Sequence, residues 1–265
     1  MKVAFLSSFP FFDILAYKKN VIHNILMRNP NASELALVYS HKGIKDHYKM
    51  WKNNLGFVRA IGNYRHQRSW PSDASEKKGG LEYNRSRLDL FVKKRGVIVK
   101  RFHRFGERAC LAFLNQFGAE VIFNFSGEYI PKSVLDMPFW GVIGAHYGIL
   151  PQVRGRDTIR WSILLNYPLY VCHIKLSPEF DMGDVVFRTP IPVYKGDSYQ
   201  KIRMRFQSAS AQGFINLFDL ILTGKIKIEP QKKEEGSTFY EMGDYLRKKV
   251  DVILSRGSYG FIQIE

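Results

Sequence analysis

Short apolar runs alternate with amphipathic stretches along most of the chain, a pattern typical of βαβ units. The apolar runs predict strands at Lys2–Leu6, Leu35–Tyr39, Val97–Lys100, Glu120–Phe125 and Gly141–Ala145, and a strand pair at Leu169–Leu176 and Val185–Thr189. The amphipathic stretches predict helices at Ile14–Arg28, His41–Asn54, Leu81–Lys94, Phe105–Phe117, Thr158–Leu165, Tyr199–Leu222 and Tyr245–Leu254. The predicted fold class is α/β, with an open, mostly parallel twisted sheet and helices on both faces.

Residues 56–80 break this alternation, because they are polar, basic and without periodicity. A stretch of this length without a pattern predicts a long loop or an insertion. We therefore expect residues 41–80 to be inserted into an otherwise regular α/β domain.

The chain carries 40 basic and 24 acidic residues, a formal net charge of +16. Such an excess attracts anions, which points to phosphates, polyanionic cofactors, nucleic acid or an anionic membrane surface without choosing among them. A basic surface that only keeps the protein soluble is the plainer alternative. Hydrophobic residues at 45% and aromatics at 14% are typical of a globular protein.

Cys110 and Cys172 are too few for a disulfide framework or a zinc site, and both stand in apolar runs. We expect them to be core residues in a reducing compartment. The apolar start of the chain is interrupted by Pro10 and Asp13, which favours a buried strand over a signal peptide. With no run long enough to span a membrane, we expect a cytoplasmic protein without membrane insertion.

Polar residues follow three of the predicted parallel strands: Ser7 and Ser8 after the first, Asn124 and Ser126 at the end of Glu120–Phe125, and His146 directly after Gly141–Ala145. Ligands of open α/β sheets bind beyond the carboxyl ends of the strands, so these side chains should converge on one crevice. No glycine-rich phosphate loop follows the first strand, which argues against a nicotinamide enzyme or an NTPase.

Residues 141–155 read Gly-Val-Ile-Gly-Ala-His-Tyr-Gly-Ile-Leu-Pro-Gln-Val-Arg-Gly. This stretch resembles the signature of the folate-dependent formyltransferases, Gly-x-Ile-Asn-x-His-Pro-Ser-Leu-Leu-Pro-x-x-Arg-Gly. Trp161 and the downstream Asp181-x-Gly183 fit the same family pattern. The resemblance covers roughly residues 95–200, is weaker over 1–40 and is absent over about 41–80.

The resemblance implies a formyltransferase fold, 10-formyltetrahydrofolate as the formyl donor and no metal. It implies His146 and Asp181 as catalytic residues. It also implies a folate site at Phe125, Ser126, Gly127, Tyr129, Ile130 and Asp184. Substrate contacts are expected at Ser7, Ser8, Tyr147, Arg154 and Arg156.

The residue types agree with this chemistry without reference to the family. Formyl transfer to an amine develops negative charge on the formyl oxygen, while the amine must lose a proton. A histidine that titrates near neutrality can donate to that oxygen or relay the proton. An aspartate beside it orients the ring, increases its basicity or orders a water that takes the proton. His146 and Asp181 are the residues that would act in this way.

The family pattern has an asparagine two residues before the histidine, and that asparagine helps to hold the formyl oxygen. This chain departs from the pattern at that position. Gly144 stands there, and Tyr147 and Gly148 replace Pro-Ser. Loss of one oxyanion donor typically costs ~10²–10³ in rate. Either Asn124, Ser126 or a backbone N–H supplies the missing bond, or the site is slow, altered or no longer a formyltransferase.

The length of the chain best fits the nucleotide-sugar N-formyltransferases within this family. We expect a catalytic domain over 1–200, a helical and short C-terminal extension over 201–265, and a homodimer. The expected partners are a nucleotide-linked amino sugar and a reduced folate, with lipopolysaccharide O-antigen biosynthesis as the setting. A tRNA-directed transferase or RNA-binding relative, indicated by the charge, and a catalytically altered relative, indicated by Gly144, stay open as alternatives.

Overall fold

The computed structural model describes residues 1–8, 16–40 and 87–263. Its strands are β1 Val3–Ser8, β2 Leu35–Ser40, β3 Ile98–Phe102, β4 Val121–Asn124, β5 Val142–His146, β6 Val153–Gly155, β7 Tyr170–Lys175, β8 Asp184–Pro190, β9 Val193–Tyr194, β10 Ser237–Phe239 and β11 Ile262–Gln263. Its helices are α1 Ala16–Arg28, α2 Leu88–Lys93, α3 Arg108–Phe117, α4 Lys132–Leu135, α5 Thr158–Leu164, α6 Tyr199–Leu222 and α7 Asp244–Arg256.

Within these ranges, seven strands form one sheet in the order β3-β2-β1-β4-β5-β7-β8. The strands from β3 to β5 are parallel, whereas β7 and β8 are antiparallel to their neighbours. The predicted open and mostly parallel sheet is therefore confirmed. Strand order reverses between β1 and β4, and the crevice at such a reversal is where ligands bind in open α/β sheets.

The central strands of the sheet are buried on both faces, which explains why they are continuously apolar. Alternate residues of each strand enter opposite cores. Phe5 and Phe123 pack with α1 and α6 on one face, whereas Leu6 and Ile122 pack with α3 on the other. Cys110 lies in this second core and Cys172 is also buried, as predicted.

Helix α6 crosses the first of these faces and contains a glycine in its buried stretch. The imidazole of His173 on β7 fills the space beside Gly213, where an added Cβ would lie 2.1 Å from its Cε1. The ring Nε2 donates to the carbonyl oxygen of Ser210 at 3.1 Å, and Phe214 packs edge-on at 4.6 Å. Burial lowers the pKa of His173 to about 4, so the ring is neutral near pH 7.

Several predicted elements coincide with observed ones, and α6 has the predicted bounds. The helix predicted at Phe105–Phe117 begins later, at Arg108, and ends as expected before Gly118, which adopts φ 67°. The helix predicted at His41–Asn54 and the insertion predicted over 41–80 lie outside the described residues. So does the start of the helix predicted at Leu81–Lys94.

Short strands that the sequence analysis did not predict join the chain's last part to earlier loops. Strand β10 pairs with β6, and β11 pairs with β9, both in parallel. The division of the chain at residue 200 stays a prediction. Across the described part of the chain, every helix is too short or too polar to cross a bilayer.

Candidate active site

His146 is the last residue of β5 and is 6% exposed. Its Nδ1 lies 3.3 Å from Oδ1 of Asp181, and its Nε2 lies 2.8 Å from the carbonyl oxygen of Val153. Both ring nitrogens thus face oxygen acceptors. The ring is held in one orientation, and each nitrogen is placed to carry a proton.

Asp181 lies in the turn between β7 and β8, with a left-handed φ of 55°. Its second carboxylate oxygen accepts the backbone N–H of Gly155 at 2.8 Å. Burial alone would raise the pKa of this carboxyl group. The hydrogen bond and charge of His146, the Gly155 N–H and the charge of Arg154 outweigh burial and lower that pKa. Asp181 is therefore an anion near neutral pH.

A cleft of about 200 Å³ opens beside this pair, between the end of β4, the outer half of β5 and the turn before β8. Gly144 and His146 share a strand face, in line with strand periodicity, and both line the cleft. Apolar side chains form much of its wall, while Tyr129 and Phe180, 55% and 72% exposed, meet at its rim with ring centroids 5.9 Å apart. The apolar wall residues are Ile130, Leu135, Ile174 and Leu176.

Asn124 stands next to Gly144 in the register between β4 and β5. Residues paired in this way present their side chains on the same face of a sheet. The Asn124 Oδ1 accepts the N–H of Ser126 at 3.0 Å, which leaves its NH₂ group as a donor at the cleft. Gly144 itself is close to Leu176, since an added Cβ would lie 3.0 Å from Cδ2 of that residue.

A second pocket, of about 170 Å³, lies beyond Asn124, where α1 and α6 approach the sheet. Tyr17, Tyr147 and Phe214 give it aromatic walls, and Ser210 adds a hydroxyl group. Burial raises the pKa of Tyr147, so its phenol stays protonated. The two pockets share Asn124, Ser126 and Gly127 after β4 and Ala145 on β5, so these residues lie between them.

Comparison with known proteins shows which sequences and which folds the chain is similar to. It is 24% identical over 144 residues to a methionyl-tRNA formyltransferase of Agathobacter rectalis, which is 54% of this chain and 46% of that protein. A sugar N-formyltransferase from a Shewanella species superposes with a TM-score of 0.59 at 13% identity, over 96% of this chain and 88% of the other. The N-formyltransferase of Helicobacter canadensis, solved with folinic acid and dTDP-3-aminofucose, superposes with a TM-score of 0.57 at 13% identity, over 91% and 71% of the two chains.

The chain is similar in sequence to the methionyl-tRNA formyltransferases over about half of its length. It has the fold of the solved formyltransferases and spans about half the length of the curated relatives it matches. No family model matches it.

The structure brings together most of the residues that the formyltransferase signature implies. His146, Asp181 and Asn124 meet at the cleft, and Ser126, Gly127, Tyr129 and Ile130 line it. Phe125 and Tyr147 line the second pocket instead. Asp184 starts β8 opposite Lys175 and is not among the residues that line either pocket in the described part of the chain. Its predicted folate contact is therefore not supported.

The remaining predicted substrate contacts lie elsewhere. Ser7 and Ser8 end β1 and are buried, with Lys18 Nζ donating to Ser7 Oγ at 2.8 Å. Arg156 is 70% exposed and lies 4.0 Å from Glu241. Arg154 must be corrected, because its guanidinium is buried and donates to backbone carbonyls and to a glutamine of the C-terminal part of the chain. A buried, fully engaged guanidinium holds the fold together and does not reach a substrate.

Glu128, Phe180 and Gln231 contribute to the site although no sequence pattern singled them out. Glu128 contacts Ser40 at the end of β2 and lines the cleft. Phe180 precedes the catalytic candidate Asp181 and lines the cleft. The one sequence signal that could have indicated Phe180 is a large apolar residue in a predicted turn. Gln231 lies in a polar stretch without a motif, so the sequence did not indicate a role for it.

Proposed function

We propose that this protein moves a formyl group from 10-formyltetrahydrofolate to the amine of a nucleotide-linked amino sugar. The observation that carries the proposal is the His146–Asp181 pair at a cleft that adjoins a second pocket. Two adjacent pockets, one of them lined by a proton-handling pair, suit the meeting of a donor and an acceptor.

The cleft beside His146 suits the reduced folate. Its apolar wall and the exposed rings of Tyr129 and Phe180 offer flat surfaces for an aromatic ligand, and the 126–128 backbone offers polar groups at the same edge. When bound there, the folate supplies the formyl group and the nitrogen that leaves. The basic surface suits the anionic tail of a folate.

The second pocket suits the acceptor. Its aromatic rings can pack against a sugar, while Asn124, Ser126 and Ser210 provide polar atoms. The positive charge of the protein favours a diphosphate-linked sugar over a neutral one.

The chain's own residues then handle one proton and one developing charge. As the acceptor amine bonds to the formyl carbon and the bond to the folate nitrogen breaks, the amine loses a proton and the leaving nitrogen gains one. Asp181, an anion held by Gly155, accepts a proton from the amine directly or through a water. His146, held at Nε2 by the carbonyl oxygen of Val153, relays a proton through the Nδ1 that faces Asp181. Asn124 donates to the formyl oxygen.

Asn124 takes the place of the asparagine that Gly144 replaces. We expect Asn124→Ala to lower kcat by ~10²-fold with little change in the KM for folate, since a donor that acts on a developing charge contributes mainly to the transition state. Steady-state kinetics with saturating folate measures this. The control is Asn216→Ala on α6, whose amide oxygen contacts only Gln212 among the described residues.

A contrary result would be a normal kcat for Asn124→Ala. In that case Ser126 or backbone donors hold the formyl oxygen. Gly144→Asn does not simply restore the family pattern, because its Cβ crowds Leu176 at 3.0 Å.

The function is tested with nucleotide-linked amino sugars and 10-formyltetrahydrofolate, by following release of tetrahydrofolate and formylation of the sugar by mass spectrometry. We expect turnover with at least one diphosphate sugar, and none with the matching sugar that lacks the amine.

The methionyl-tRNA formyltransferases among the relatives favour a second acceptor, aminoacyl-tRNA. Formylation of methionyl-tRNA in place of the sugars would replace the first proposal. Binding to tRNA that disappears at ~0.2 M salt would indicate only non-specific charge attraction.

Homodimer formation, the cytoplasmic location, the O-antigen setting and the 10-formyl state of the folate stay predictions. Sedimentation of the purified protein tests the first of them.

A further inference from the structure

The chain that follows α6 returns to the candidate active site as a segment over residues 229–239. Glu229 exchanges both backbone hydrogen bonds with Val185 at 2.8 Å. Strand β10, at the end of the segment, pairs with β6, and the N–H of Arg156 donates to the carbonyl of Phe239 at 2.9 Å. The 229–239 segment therefore lies against both loops that build the His146–Asp181 pair: the turn before β8 and the loop that contains β6.

Gln231 binds the first of these loops through its side chain. Its Nε2 donates to the carbonyl oxygen of Asp181 at 3.0 Å and to that of Gly183 at 2.5 Å. These bonds fix the backbone of a turn in which Asp181 adopts the left-handed conformation that non-glycine residues rarely occupy. The direction of the Asp181 carboxylate depends on that backbone.

Arg154 binds the same glutamine from the second loop. Its Nε donates to Oε1 of Gln231 at 3.3 Å, while its terminal nitrogens donate to the carbonyls of Lys232 at 2.8 Å and Lys233 at 3.0 Å. The next residue, Gly155, donates its N–H to the Asp181 carboxylate. The contacts form a closed ring that runs from the Asp181 carboxylate through Gly155, Arg154 and Gln231 back to the Asp181 carbonyl.

We infer that Gln231 is a positioning residue for Asp181, and that the 229–239 segment is a structural part of the active site. The inference rests on the proposed function, because it assigns Gln231 a role through the carboxylate proposed to accept the proton. Gln231 does not line either pocket in the described part of the chain, so it acts through Asp181 and not on a substrate. Its single amide satisfies two carbonyls and one guanidinium, which no apolar or acidic side chain can do.

Two variants separate the donor of Gln231 from its acceptor. Gln231→Glu keeps an oxygen for Arg154 but loses the N–H groups that hold the turn. Gln231→Met keeps the length and loses both. We expect each to lower kcat by about tenfold with an unchanged KM for folate, and to shift the acidic limb of the kcat–pH profile, because a loosened carboxylate titrates differently. Gln212→Glu and Gln212→Met on the exposed face of α6 are the matched controls and should behave as wild type.

A readout without activity accompanies the kinetics. The backbone amide of Gly155 donates to the Asp181 carboxylate, so its proton shift follows the titration of that carboxyl group and its exchange rate reports the strength of the bond. In both Gln231 variants we expect faster exchange of this amide and an altered titration, while melting temperatures stay close to wild type.

Unchanged Gly155 behaviour in both Gln231 variants overturns the inference, whatever the kinetics show. A general loss of amide protection across the sheet also overturns it, because Gln231 would then support the whole fold. Absence of formyl transfer in the wild-type protein counts against the proposed function alone, since the amide measurement does not depend on turnover.

Discussion

Asp181→Asn is expected to lower kcat for the proposed formyl transfer by about 10³-fold, within the range that acid–base groups contribute. Asparagine has nearly the same shape and tolerates the left-handed φ of 55° at this position. Its amide oxygen can still accept the Gly155 N–H, which turns the NH₂ group toward Nδ1 of His146. The ring must then accept at Nδ1, so the variant loses the carboxylate charge and also removes the proton from Nδ1 of the imidazole.

Steady-state kinetics at saturating concentrations of both substrates measures this loss. The control is Asp219→Asn on α6, where the carboxylate pairs with Arg28 and lines neither pocket. It should keep the wild-type kcat. An Asp181→Asn enzyme within threefold of wild type would remove Asp181 from the mechanism and leave His146 as the candidate for proton transfer.

Gly213→Ala is expected to destabilise the protein by about 3 kcal/mol, although alanine normally stabilises a helix interior by ~1 kcal/mol over glycine. The added methyl group would overlap the His173 ring, which is fully buried and bonded to Ser210. Neither the helix nor the strand can shift without disturbing the packing around Phe214. Urea unfolding of the two proteins measures the difference in the free energy of unfolding.

A double-mutant cycle attributes the effect to this contact. In a His173→Ala background, where the ring is gone, Gly213→Ala should cost less than ~1 kcal/mol. Gly127→Ala is the control, because an added Cβ there has no neighbour within 4 Å. If Gly213→Ala costs the same in both backgrounds, the close approach of helix and histidine does not set the stability at this position.

Elements with strong local signals could be predicted from the sequence. Helix α6 follows a serine cap at Ser198, and the helix predicted from Phe105 ends at Gly118 in a left-handed conformation, so their ends are encoded by single residues. Strands β6 and β10 have three residues each and pair across some eighty positions of chain. No periodicity can develop in three residues, so this pairing had no sequence signal.

In the candidate site, too, some residues had a sequence signal and others had none. His146 and Asp181 were predicted because their motif names them, and Asn124 because Gly144 leaves a gap in the pattern. Arg154 was predicted as a substrate contact, and it belongs to the same motif. Its carbonyl partners come from a segment without a motif, and which backbone atoms face a buried guanidinium follows only from the tertiary fold.

The burial of Arg154 affects how the protein unfolds locally. A guanidinium that bonds several carbonyls away from water resists partial release, since each bond lost exposes a charged group to an apolar surrounding. The strand β10 and the loop containing β6 should therefore detach together, as one small cooperative unit, while the central sheet remains intact.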